Sequence, residues 1–142
     1  MSLMIGSYID FALKRDAALT AATDGRVWPV LAPEDREHEL PYVTYAMDAL
    51  EEEDTKDGVC CDHVTAEVLV VAASAEESER VAHLVRLAMA KGPCAWNAGD
   101  HPFRVSGQEM RAGGEDFDLA HDSFFLPMSY QIETEGCVKT NI

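Results

Sequence analysis

A chain of 142 residues with 47% hydrophobic and 26% charged side chains is sized for one domain around one core, and it is too apolar to be a disordered chain. Its 26 acids against 11 Lys and Arg give a formal net charge of −15. That balance speaks against sequence-specific nucleic-acid binding, which draws most of its affinity from Lys and Arg on phosphates, and no run approaches the ~20 apolar residues of a membrane span.

At the start, Met1-Ser2-Leu3-Met4 lacks the basic region and apolar core of a signal sequence, so residues 1–4 read as a tag or disordered start with Met4 the natural first residue. Ile5 to Ala22 reads as helix: Ile5, Tyr8, Ile9, Ala12 and Leu13 form one apolar stripe. The Ala-rich part drifts out of phase with that stripe, which predicts a kink near Arg15 or Asp16. Asp24-Gly25 supplies the stop. Arg26-Val27-Trp28 is a short extended piece closed by Pro29, and Ala32 to Leu40 is a charged loop.

Tyr42 to Ala49 reads as a strand, with Val43, Tyr45 and Met47 on one face. From Asp48 to Asp62 the chain holds seven acids and one base, Lys56. Asp57-Gly58 is a turn signal, so Glu51 to Cys60 reads as the exposed loop of a long hairpin. The return strand, Cys61 to Ala73, turns Val64, Ala66, Val68, Val70 and Ala72 to the core. Leu69 and Val71, on its other face, predict a far half buried on both sides.

Ser74 to Met89 is the clearest helix. Ser74 and Glu77 form a capping box, and Ser78, Val81, Ala82, Val85, Ala88 and Met89 line one face. Gly92-Pro93 ends it. Cys94 to His101 reads as a loop, Phe103 to Met110 as a strand, and Arg111 to Asp122 as an acidic, Gly-rich connection. In Ser123 to Glu133, Phe124, Leu126, Met128, Tyr130 and Ile132 alternate strictly with the other face. Pro127 argues there for an edge or a bulge. Thr134 to Ile142 reads as a loose tail. Residues 1–142 thus form a single α+β domain: a mostly antiparallel sheet of four to five strands with two helices packed on one face.

Motifs for chemistry are absent. There is no nucleotide-binding glycine pattern and no nucleophile elbow. His38, His63, His101 and His121 adjoin Glu39, Asp62, Asp100 and Asp122, but no metal-ligand spacing such as H-x-x-x-H occurs; His83 falls on a wet helix face. Cys60, Cys61, Cys94 and Cys137 form no C-x-x-C pair and read as reduced thiols. Cys61 and His63 share a strand face, the minimum for a thiol–imidazole hydrolase, with no third member identifiable. The acids Glu51, Glu52, Glu53 and Asp54 are consecutive, unlike the alternate spacing of a calcium loop, and read as a solvated hairpin tip. The expectation is a non-enzyme with no catalytic, cofactor or metal residues. A small-molecule or metal-binding α+β module of a bacterial cytoplasm is the alternative.

Three stretches carry a family likeness: Arg15 to Ala22 running through Gly25 into Arg26-Val27-Trp28-Pro29; Leu40-Pro41-Tyr42-Val43-Thr44-Tyr45; and Ala66 to Ala73 leading into the capped helix. In this order the chain resembles the phage and prophage tail-completion (tail-terminator, head–tail joining) proteins from Ile5 to Glu133. The resemblance implies a structural protein of the virion tail, assembled in the bacterial host cytoplasm. It would form a ring, six copies in relatives, against the tail tube protein and the head-side connector. No catalytic motif is carried over. Two stretches depart from the family pattern, the unusually acidic loop Glu51 to Cys60 and the long stretch Cys94 to Pro102; Glu51, Glu52, Glu53 and Asp54 of the first are the candidate assembly loop, facing a lumen or a docking rim.

Overall fold

The computed structural model describes residues 4–54, 60–92, 95–96 and 102–136. Its elements in chain order are α1 (Ile5–Lys14), α2 (Ala17–Thr23), β1 (Val27–Pro29), β2 (Tyr42–Asp54), β3 (Cys60–Ala72), α3 (Ala75–Ala90), β4 (Ala95–Trp96), β5 (Phe103–Ala112), β6 (Asp116–Asp118) and β7 (Ser123–Gly136). Among the described residues they form one seven-stranded sheet in the order β1-β2-β3-β7-β5-β4, with β6 also paired to β7.

The α+β class is as expected, but the sheet is larger than expected and mixed. β1 pairs parallel with β2, Val27 opposite Val43, whereas the other pairings are antiparallel. Parallel neighbours need a long connection, and residues 30–41 supply it without a helix. A search for strand–helix alternation misses such a crossover. The two further short strands, β4 and β6, lie inside stretches with too few residues to show a period. The start at 1–3, Cys94 and residues 97–101 lie outside the described residues.

The N-terminal helix is two helices. Asp16 is extended, and its carboxylate accepts from the Leu19 N–H at 2.9 Å, capping α2. Arg15 donates from the break to the carbonyls of Gly92 (2.6 Å) and Lys91 (3.3 Å) at the C-terminus of α3. A guanidinium there satisfies carbonyls that have no helical partner. The kink is thus fastened to the end of the neighbouring helix. At the start of α3, Ser74 Oγ accepts from the Glu77 N–H (3.1 Å) and Glu77 accepts from the Ala73 N–H (3.1 Å).

One face of the sheet is covered by the helices. Val43, Tyr45, Val64, Val68, Val70, Leu126, Met128, Tyr130 and Ile132 are buried there against Ile5, Tyr8, Ile9, Leu13, Val81, Val85 and Met89. Tyr45 reaches the helix layer, its hydroxyl donating to Asp10 at 2.6 Å. The opposite, open face carries Thr65, Glu67 and Leu69, which are not fully buried, and Val71, which is.

Two register shifts decide which side chains face which way. The β2–β3 ladder skips Asp48, and the β5–β7 ladder skips Ser106. Each is a bulge, which inserts one unpaired residue and exchanges the two faces beyond it. Before Asp48 the odd residues of β2 face the helices; after it Leu50 does, opposite Val64.

Pro127 is not at an edge of the sheet. It lies in β7, between β3 and β5, opposite Leu69. Its backbone nonetheless meets no donor requirement on the β5 side. β5 stops pairing at Ala112, β6 begins only opposite Phe125, and in the gap Gly113 donates its N–H to the Pro127 carbonyl at 2.8 Å. The missing N–H therefore falls where no strand would accept it.

Candidate functional site

The acids singled out in the sequence do not form a loop. Glu51, Glu52 and Glu53 continue β2 and pair with His63, Asp62 and Cys61; Asp54 pairs with Cys60. The loop reading is corrected to strand, because charge alone does not stop a ladder whose partner strand and register are already fixed. What remains of the hairpin tip, residues 55–59, lies outside the described residues. Glu51, Glu52 and Glu53 are exposed.

The same correction applies to the expected loose tail. β7 runs on to Gly136, and Thr134 is buried, opposite Asp62 in β3 and Val105 in β5. Thr134 continues the inward alternation of Tyr130 and Ile132, a signal present in the sequence. Residues 137–142, with Cys137, lie outside the described residues.

Because the bulge at Asp48 exchanges the faces, Glu51 and Glu53 share the open face with Cys61 and His63. In the adjoining strand Glu133 and Glu135 stand opposite those two. His63 stands in the middle of this acidic patch. Its Nε2–H donates to Glu53 at 2.7 Å, and its Nδ1 faces Glu133 at 3.5 Å. The hydrogen bond to Glu53, followed by the charges of Glu133, Glu53 and Glu51, raises the imidazole pKa above its ordinary value; the slight burial works against this. Arg104 closes the next row by donating to Glu135 at 2.8 Å.

Neighbours in sequence proved poor guides to partners. His63 bonds across strands and not to Asp62, which is buried. His121 donates from Nδ1 to Asp118 (2.7 Å), with Glu37 3.9 Å from its Nε2, and not to Asp122. Asp62 and His63 are adjacent in β3 and point to opposite faces, which separates that pair. His38 and His83 are exposed, and His101 is outside the described residues.

The thiol–imidazole pair shares the open face, as expected. Both nitrogens of His63 face carboxylates, those of Glu53 and Glu133. No group of three or more His, Cys, Asp or Glu among the described residues is arranged to hold a metal ion. No helix among them is long and apolar enough to cross a membrane.

A second feature of the open face was not anticipated. Beside the connection 30–41 the sheet carries a groove floored by Tyr42, Leu69, Val71 and Phe125. The sequence signal for it was the apolar pair Leu69 and Val71 on the face opposite the core.

No protein-family profile matches the sequence, and no curated protein matches it. Among solved structures, the fold is shared with a chain from the virion of a native gene transfer agent particle. The match has a TM-score of 0.68 at 19% identity and covers 92% of this chain and 94% of that one.

Proposed function

We propose that this chain is a structural component of a phage-type virion. It completes the tail tube and joins it to the head-side connector, as a ring of identical copies. The observation that carries the reading is the agreement of fold with a virion chain across 92% of this chain and 94% of the other. The tail-completion pattern in the sequence agrees with it. The site chemistry fits: on the open face Glu53, His63 and Glu133, and Arg104 and Glu135, pair with one another across β2, β3, β7 and β5, around an open concavity of about 720 Å³ lined by Glu51, His63, Gln131 and Glu133.

Ring closure needs a heterologous contact, one patch against a different patch on the next copy. Beyond Tyr45, β2 has no strand on its outer side among the described residues, since β1 covers only Val43 to Tyr45. The acids Glu51, Glu52, Glu53 and Asp54 lie on that free stretch. We assign them to a lumen or docking rim, where negative charge keeps DNA from adhering.

The test is made in the particle-producing strain. Removing the gene is expected to leave unjoined heads and tails by electron microscopy; normal particles would overturn the role. Replacing Glu51, Glu52, Glu53 and Asp54 with Ser is expected to impair joining or DNA passage, and unchanged particles would remove these acids from the site.

A further inference from the structure

The groove on the open face has features of a docking site. Its floor, Tyr42, Leu69, Val71 and Phe125, comes from β2, β3 and β7. Its rim is mainly acidic: Glu34, Glu37, Glu67 and Asp118 line it together with His121, which is bonded to Asp118, and no Lys or Arg among the described residues does. The nearby Arg36 is engaged elsewhere, paired with Glu39 and 5.1 Å from the centre of the Trp28 ring.

One wall is strained. Val30 has φ 65°, a conformation that a β-branched residue rarely adopts. Its N–H is held on the Tyr45 carbonyl at 2.8 Å. The turn presents Leu31, 77% exposed, at the groove. Strain that is retained to expose an apolar side chain points to a use for that side chain. β3 and β7 are paired on both sides along the floor, so an occupant cannot join them as a strand and must bind through its side chains.

We infer that this groove seats a segment of another protein whose apolar side chains are flanked by Lys or Arg. The apolar floor takes the apolar side chains and the acidic rim takes the cations. The open edge of β2 beyond Tyr45 is the candidate for contact between copies, which leaves this groove to a different neighbour. The inference rests on the assembly role proposed above, and the partner is a neighbour in the particle.

The probe is a synthetic peptide of alternating Lys and Leu, titrated into the 15N-labelled chain, with an alternating Glu and Leu peptide for comparison. Shift changes are expected around Tyr42, Leu69, Val71 and Phe125, with an affinity that falls as salt rises. Glu34 and Glu67 are exposed, so Glu34→Lys with Glu67→Lys should leave the fold intact and weaken binding about tenfold or more. Three results would overturn the inference: changes centred on Glu51, His63 and Glu133; equal binding of the Glu-containing peptide; or concentration-dependent shifts of the floor residues without peptide, which would mark self-association. In particles, the double variant should block joining as gene removal does. Normal joining by the variant, where removal abolishes it, defeats the groove and leaves the assembly role standing.

Discussion

Single side chains set several measurable properties. Tyr130 is 1% exposed, and its hydroxyl has no hydrogen-bond partner among the described residues. Burial pushes the phenol pKa up to about 12, against a smaller opposing effect of Arg86. The sign follows from linkage: the unfolded phenol ionises near 10.0 and the folded one near 12, so the stabilisation is whole below the lower value and is lost as pH rises through the interval. Tyr130→Phe should raise stability at neutral pH by about 1 kcal/mol, since it removes a buried unpaired hydroxyl, and should flatten the alkaline limb of the urea-midpoint curve. Gly113 acts through space: a Cβ there would lie 2.7 Å from Pro127 Cγ, whereas at Gly114 it meets nothing within 4 Å. Gly113→Ala should cost about 1–3 kcal/mol, as overpacking does, and Gly114→Ala far less, by chemical denaturation. For His63 the folded pKa is the raised one. Its contribution is therefore complete below the unfolded pKa and fades as pH climbs through the folded value. NMR titration should place it above the ordinary 6.5, and Glu53→Gln should bring it down.

Among the elements, the helix break is the most exposed to test. Asp16 caps α2 and lies 3.5 Å from the Lys91 ammonium, while Arg15 caps the end of α3. Asp16→Ala should destabilise by about 1 kcal/mol, the usual worth of such a cap, read from the urea midpoint. This break was legible in the sequence because Ala17 to Ala22 leave the phase of the Ile5–Leu13 stripe. The inward faces of α3 and β7 were legible for the same reason: each is a long run with one dominant period. The extension of β2 through Glu53 was not. Hydrophobic pattern identifies a strand by what it buries, and beyond the Asp48 bulge β2 shows acids to solvent. Its strand state is imposed by register with β3. The His63–Glu53–Glu133 contact was invisible for that reason, as it joins three strands whose alignment depends on the bulge. The parallel β1 was hidden because its crossover is an irregular loop.

At the scale of the whole molecule, charge dominates. A net −15 on 142 residues repels itself, and the compact state bears more of that repulsion than the unfolded chain. Raising salt from about 10 mM to about 0.5 M shortens the screening length several-fold, so the melting temperature should rise over that range in scanning calorimetry. A fall would mean that the paired groups around His63 and Arg104 outweigh the general repulsion. The order of strands carries a different consequence. β7 lies between β3 and β5 although it follows both in the chain. While the protein is being synthesised, the facing edges of β3 and β5 stay bare until Ser123–Gly136 has left the ribosome. A chain that ends before Ser123 therefore offers two open templates for aggregation, and truncation through β7 should lower the yield of soluble protein.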